Sequence, residues 1–272
     1  ALFELRKEGK TIGLVPTMGA LHEGHASLVK KSVGDNDVTV VSAFVNPTQF
    51  NDKKDLETYP RDLDADCALL DSVGADFVFA PTAEEMYSAE EMQARFSFDF
   101  NGLDEVMEGK MRPGHFNGVV QVVSRLFELV CPTRAYFGEK DFQQLAIIRH
   151  MVEHSTLSSN FNNLKIVGCP IVREASGLAL SSRNERLSDN EKQTAVAISQ
   201  TLIASLEWAK TDSLEEVQKR VIDTINAIDG LEVEYFEIVD KTTLQPTTTF
   251  DNAIGCVTVY CGPVRLIDNI QY

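Results

Sequence analysis

Apolar positions along the chain alternate between strand and helix spacing as far as about residue 172, and then give two long helices followed by three strands. Residues 3–6 read as the end of a helix closed by Gly9. A strand over 12–15 is expected to break at Pro16, and helical spacing resumes at His25 and carries through Ser32. Residues 38–45 are almost continuously apolar and β-branched, as in a parallel strand covered on both faces. Helical spacing at Leu63, Cys67, Leu69, Leu70 and Val73 ends at Gly74 and leads into a strand over 76–79. The acidic stretch 84–108 has no single period, so loop and short helix are expected there. A strongly periodic helix follows over 119–130, then a short strand over 134–137, a helix running to Met151 and a strand over 164–172.

Beyond that point Ser188-x-x-Glu191 and Ser213-x-x-Glu216 form capping boxes for helices reaching Lys210 and Ile228. β-rich runs then cover 231–239, 253–261 and 264–270. The order of elements predicts an α/β fold: a doubly wound, Rossmann-like parallel sheet over residues 1–171, with a smaller C-terminal α+β domain over 172–272.

Composition is that of an ordinary globular chain, 43% apolar and 24% charged. No stretch has the apolar length of a membrane span and no secretory signal opens the chain, so a cytoplasmic location and no membrane partner are expected. Five cysteines, odd in number and without a C-x-x-C pair, suggest neither a disulfide framework nor a zinc ribbon; they read as reduced and mostly core. A net charge of −16 opposes a polyanionic partner, so nucleic acid is excluded. A small anion remains compatible, since a local cluster of His, Lys and Arg outweighs screened, distant acids.

The candidate chemistry begins in residues 11–28, T-I-G-L-V-P-T-M-G-A-L-H-E-G-H-A-S-L, which read as strand, glycine-bearing loop and helix entrance. His22 and His25 stand three apart where backbone N–H groups lack intrahelical partners and the helix dipole favours negative charge. Gly19 and Gly24 would let a phosphate chain approach the backbone. Two imidazoles can donate hydrogen bonds to charge developing on phosphate oxygens. The pair taken alone has two other readings, a metal site and two unrelated surface histidines. Zinc-protease histidines stand four apart on an uninterrupted helix, whereas here Gly24 interrupts a spacing of three.

Open α/β sheets bind ligands beyond the carboxyl ends of their strands, which puts the loop 46–50 beside this one. In the turn 138–141, Lys140 offers a point charge to phosphates and Asp141 an acceptor to ribose hydroxyls, although such a string also reads as a solvated turn. Gln49 and Gln144 are neutral amides on sheet-top loops, each able to donate and accept at once. Ser181, Ser182 and Arg183 suit phosphate oxygens, and a mobile segment there suits closure over an intermediate that water would destroy; an ordinary linker is the plain alternative. No G-x-S-x-G or catalytic cysteine pattern suggests a covalent nucleophile.

H-x-G-H after a first strand resembles the signature of the HIGH-type nucleotidyltransferases, which attack the α-phosphate of ATP. The longer P-T-M-G-A-L-H-E-G-H resembles the pantothenate synthetase family. N-P-T-Q-F at 46–50, R-P-G-H-F-N-G at 112–118, G-E-K-D-F-Q-Q at 138–144 and L-S-S-R-N at 180–184 extend the resemblance over nearly the whole chain. The resemblance implies ATP- and Mg²⁺-dependent ligation of pantoate to β-alanine through a bound pantoyl adenylate, releasing AMP and pyrophosphate, by a homodimer. It implies His25, His22 and Lys140 as catalytic residues. Met18, Gly19, Gly138, Glu139, Asp141, Val172, Leu180, Ser181, Ser182 and Arg183 would join them on the nucleotide. Gln49, Gln144 and Arg112 would bind the other substrates, with Arg112 also able to pair a carboxylate or shape its loop. No protein metal ligands are expected, Mg²⁺ riding on the nucleotide phosphates. Two positions depart from the family pattern: Leu180 where methionine is common, and Ser176 where an aspartate commonly precedes the glycine. An adenylyltransferase that stops at nucleotide transfer and a non-catalytic nucleotide-binding module are the competing readings.

Overall fold

The central strand of the larger sheet is the first in the chain, and its neighbouring residues point to opposite layers of core. In this computed structural model, which describes residues 1–51, 53–93, 96–154, 161 and 163–272, helix α1 (Leu2–Lys7) precedes β1 (Ile12–Thr17), α2 (Glu23–Asp35) and β2 (Val38–Ala43). Helices α3 (Lys53–Thr58) and α4 (Leu63–Ser72) lead to β3 (Phe77–Phe79). Short helices α5 (Ala83–Met86), α6 (Ala89–Gln93) and α7 (Met107–Met111) fill the aperiodic acidic stretch, of which Ala94 and Arg95 lie outside the described residues. Then come α8 (His115–Val130), β4 (Arg134–Gly138), α9 (Phe142–His154) and β5 (Lys165–Cys169). The five strands are all parallel, in the order β3-β2-β1-β4-β5.

Side chains alternate across a strand, so one helical layer must meet each face. Leu14, Val40, Ala135 and Phe137 enter the larger core, which also holds Val119, Val123, Leu126 and Phe127 of α8 and Leu145 and Ile148 of α9. Val15, Val41 and Tyr136 turn the other way, onto Val29 of α2 and Leu70 of α4. This two-sided burial explains the near-continuous apolar reading of β2.

The remainder of the chain forms α10 (Asp189–Trp208), α11 (Leu214–Asn226) and an antiparallel sheet of β6 (Leu231–Asp240), β7 (Ala253–Cys261) and β8 (Val264–Gln271), with β7 in the middle. Both capping boxes are formed. Leu202, Val217, Val221, Phe236 and Val257 join in a second core, while Val239, Ile254 and Cys256 pack into the first.

Three boundaries and the buried face of one helix show how the structure departs from the sequence expectation. Strand β1 continues through Pro16 to Thr17. The N–H of Phe44 bonds to the Thr17 carbonyl, so Thr17 faces β2 and, by alternation, Pro16 faces β4, where the registered pairs have ended at Leu14. Helix α8 begins four residues early, at His115, because the left-handed Gly114 supplies the entry. Strand β5 ends at Cys169, just before Pro170, which has no N–H to donate. In α4 the buried positions are Asp66 and Leu70, whereas Leu63 and Cys67 are exposed.

A half-buried ionic cluster ties α7 to the antiparallel sheet. The carboxylate of Glu108, on α7, takes two bonds from the Arg265 guanidinium of β8, at 2.7 and 2.8 Å. It also accepts from the Tyr235 hydroxyl of β6 at 2.9 Å and the Thr258 hydroxyl of β7 at 3.0 Å. Burial pushes this carboxyl up, but the bonds and charge of Arg265, with Tyr235 and Arg112, outweigh burial and hold it down at about 2. Its stabilising contribution is therefore complete above the ordinary carboxylate range and is lost as pH falls from about 4.5 toward 2. We expect Glu108→Gln to lower stability at neutral pH and also to flatten its acid dependence. Between pH 6 and pH 3.5 the variant should lose about 1 kcal/mol less than the parent, read from urea unfolding followed by the fluorescence of Trp208. Parallel pH profiles would contradict this.

Candidate active site

The loop after β1 enters α2 through an unusual cap. His22 is the N-cap residue, and its imidazole Nδ1 accepts the Gly24 N–H at 3.1 Å, while the Nδ1 of His25 accepts the His22 N–H at 3.3 Å. A neutral imidazole has one donor and one acceptor nitrogen, so both rings are fixed as the tautomer carrying hydrogen on Nε2. Their centroids are 4.1 Å apart. Burial and the nearby Lys140 charge push His22 down to about 4; burial, His22 and Lys140 push His25 down to about 3. Both rings are therefore neutral donors at physiological pH.

This geometry corrects one expectation about the helix entrance and adds a second reason for its glycines. The N–H groups of His22 and Gly24 already have partners, so at these two positions the donors left for an anion are imidazole Nε2–H groups. The two glycines are required by the chain's own packing. Gly19 has a φ of +81°, and a Cβ there would lie 2.8 Å from the Asp66 carboxylate. A Cβ at Gly24 would lie 2.8 Å from the His22 ring.

Asp66, on α4, fixes the loop by accepting from the N–H groups of Ala20 at 3.0 Å and Leu21 at 2.7 Å. Its sequence signal was a carboxylate one turn before the buried Leu70, on the inward face of α4. The Ser182 hydroxyl donates to the Ala20 carbonyl at 3.1 Å, joining the 180–183 segment to the same loop. A Cβ at Gly24 would also stand 3.6 Å from the Cβ of Leu180. Leu180 in turn bonds through its N–H to the carbonyl of Val172 at 3.0 Å. The intervening hairpin pairs Arg173 with Ala179, and at its tip the Ser176 hydroxyl accepts from the Leu178 N–H at 3.4 Å, so the serine caps the turn.

Beside the histidines opens a cleft of about 600 Å³ between the sheet-top loops and the C-terminal strands. Lys140, Asp141, Gln144, Arg112, Ser181 and Arg183 line it, and so do Glu108, Tyr235 and Arg265 of the ionic cluster. His22 and His25 do not line the cleft themselves; Lys140 does, and its charge is felt at both rings, so the pair stands within electrostatic reach of the cleft's edge. The turn carrying Glu139, Lys140 and Asp141 follows Gly138 at the carboxyl end of β4.

Met18 and Gln49 lie off the cleft wall and close on each other, the Gln49 amide donating to the Met18 sulfur at 2.9 Å. On the cleft wall itself, His115 donates from Nδ1 to the Gln49 carbonyl at 2.8 Å, leaving Nε2 to accept from Arg112 at 3.3 Å. It thus carries the opposite tautomer to the histidine pair, and burial, with the Arg112 charge, lowers it to about 4. Arg112 also stands 3.7 Å from Glu108. Residues missed in the sequence, namely Asp66, Glu108, Arg265 and Asn269, are polar side chains whose partners lie tens of residues away or more. Among the described residues no three His, Cys, Asp or Glu side chains converge as a metal-holding group, and no helix is long and apolar enough to cross a membrane.

Comparison with known proteins gives matches over the whole chain. The family model for pantoate-beta-alanine ligase matches residues 1–271. A pantothenate synthetase of Phocaeicola vulgatus is 65% identical over 98% of this chain and 94% of its own length. The crystal structure of pantothenate synthetase from Thermus thermophilus superposes with a TM-score of 0.90 at 41% identity, covering 100% of this chain and 97% of that one. The Francisella tularensis pantoate-beta-alanine ligase, solved in complex with beta-gamma ATP and beta-alanine, gives 0.78 at 36% identity, with 99% and 94% covered.

The capping arrangement predicts that the imidazole nitrogen resonances of His22 and His25 keep the neutral Nε2–H pattern from pH 8 down to pH 5. Protonation of either ring near the ordinary histidine value would contradict the geometry, which NMR titration of ¹⁵N-labelled protein measures directly.

Proposed function

The chain belongs to the pantoate-beta-alanine ligase family, and on that premise we propose that the cleft condenses pantoate with β-alanine at the expense of ATP, in two steps around one bound intermediate. The observation that carries this reading is the pair of neutral imidazole donors held beside Lys140 at the mouth of a parallel sheet. In the first step the pantoate carboxylate attacks the α-phosphorus of ATP, forming the pantoyl adenylate and releasing pyrophosphate. We assign His22 and His25, through Nε2–H, and Lys140, through its ammonium, to the charge that builds on the phosphate oxygens. Neutral imidazoles suit this task because their hydrogen bonds tighten as the oxygens become more negative.

In the second step the free amine of β-alanine attacks the activated carbonyl, and AMP departs. Holding the reactants in line can supply roughly 7 to 11 kcal/mol of the barrier, so no covalent nucleophile is needed. We assign Met18, Gly19, Gly138, Glu139, Asp141, Val172, Leu180, Ser181, Ser182 and Arg183 to the nucleotide, and Gln49, Gln144 and Arg112 to the other substrates. For Gln49 this requires its amide to exchange the Met18 sulfur, a weak acceptor, for a pantoate oxygen. Residues 172–272 act in this reading as a lid on the 1–171 sheet unit.

The donors assembled here are neutral imidazoles, a lysine, hydroxyls and an arginine, which suit phosphate oxygens and not a hard dication. Mg²⁺ fits this set as a counter-ion held by the nucleotide's own phosphates, where it supplies charge neutralisation. We extend to this chain the homodimeric state and cytoplasmic location that the family resemblance implies, to be checked by sedimentation and by cell fractionation.

Exchange of labelled pyrophosphate into ATP, dependent on pantoate and independent of β-alanine, tests the first step by itself. We expect His25→Ala to slow it by about 100- to 1,000-fold, the usual consequence of removing one donor aimed at developing charge. Exchange without pantoate would favour a different adenylyl acceptor. An unchanged rate in the variant would remove His25 from the assigned role. AMP release that does not respond to β-alanine would leave only nucleotide transfer.

A further inference from the structure

Strand β8 reaches the turn that bears Lys140 through Asn269, whose neighbour Asp268 is tied to a different segment. Asp268 forms a two-pronged ion pair with Arg173, at 2.6 and 2.9 Å, and one of its oxygens also accepts the Asn269 N–H at 2.8 Å. The Asn269 side chain, only 4% exposed, donates to the main-chain carbonyl of Glu139 at 2.8 Å and to that of Lys140 at 3.0 Å. From the other side, Arg173 donates to the Gly177 carbonyl at 3.3 Å, inside the hairpin that leads into residues 180–183.

An amide whose two hydrogens meet two consecutive carbonyls is fixed in orientation and fixes the peptides it holds. The turn needs such an anchor. It is a single 3₁₀ turn with no side-chain cap, and the hydrogen bonds of 3₁₀ turns are poorer than those of an α-helix. The lysine ammonium stands at the end of a flexible four-carbon stem, so the direction in which the main chain launches it decides what it reaches.

We propose that Asn269 is a positioning residue for Lys140, clamping the Glu139–Asp141 turn so that the ammonium meets the His22–His25 pair, and that the Arg173–Asp268 pair locks the clamp. The C-terminal strands thereby do more than cover the cleft: they set the position of a cation that belongs to the opposite sheet. The same lock ties that position to the 172–180 hairpin, so the nucleotide-facing segment and the lysine are adjusted together. This inference rests on the role assigned to Lys140 in the adenylation step.

A double-mutant cycle on pantoate-dependent pyrophosphate exchange separates positioning from general support. Displacing a reacting group by about 1 Å can reduce a rate on the order of 100-fold, so Asn269→Ala should slow exchange about 10- to 100-fold. With Lys140→Ala already present, the same substitution should cost a factor at least about fivefold smaller, the remainder being displacement of Glu139 and Asp141 in the same turn. Equal factors in both backgrounds would overturn the proposal. If Asn269→Ala does not fold, Asn269→Ser, whose one hydroxyl can reach only one of the two carbonyls, enters the same cycle. Should Lys140→Ala by itself leave exchange unchanged, the assignment of Lys140 fails, and NMR titration then judges the clamp. The Lys140 charge helps to hold both imidazoles low, so its displacement in Asn269→Ala raises the pKa of His22 and His25. Unmoved values would overturn the clamp.

Discussion

Two hydrogen bonds to imidazole nitrogen govern this site. Because Nδ1 of His22 takes the Gly24 N–H and Nδ1 of His25 takes the His22 N–H, each ring is oriented, locked in one tautomer and deprived of its easiest site of protonation. Burial and the neighbouring Lys140 charge then keep both rings neutral. The helix entrance, commonly a cradle of backbone donors, has here handed two of those donors to side chains whose Nε2–H groups stand further out. Gly19, Gly24 and Asp66 all serve that arrangement, since a side chain at either glycine would collide with the ring or with the carboxylate that holds the loop.

A second constraint is electrostatic. The chain carries −16 overall, yet Lys140, Arg112, Arg183 and Arg265 gather at one cleft. The carboxylates that share the cleft wall are largely answered within the protein: Glu108 and Glu234 by Arg265, and Asp268 by Arg173. Removing either partner of such a half-buried pair leaves a charge without its counter-charge and destabilises by less than the ~3–5 kcal/mol of a fully buried pair. The cluster thus holds the C-terminal strands to α7 and also keeps its acids from opposing an anionic substrate. Tyr235 and Thr258 satisfy further lone pairs on Glu108, which makes its ionised form tolerable in the interior.

The order of strands and helices was legible because burial on two faces writes near-continuous apolar runs, and burial on one face writes a helical stripe. Boundaries were less so. Pro16 reads as a strand breaker, yet it occupies a position where β1 has no remaining partner on that side, which only the strand order reveals. The expected apolar face of α4 also included Cys67 and Leu63, although the position that meets the sheet-top loop is Asp66. A carboxylate that accepts two backbone N–H groups from a loop 45 and 46 residues away leaves no mark in local spacing.

By itself, the sequence determined the alternation of elements, the change from a parallel α/β part to a smaller α+β part, and the short strings that mark the family, because these depend on local period and on contiguous residues. Tertiary structure alone decided the tautomers of His22, His25 and His115, the ionisation of Glu108 and the anchoring of the Lys140 turn by Asn269. Those properties arise where groups from distant segments exclude water and meet at hydrogen-bonding distance. A proton's position depends on that surrounding field, and the linear order of residues does not contain it.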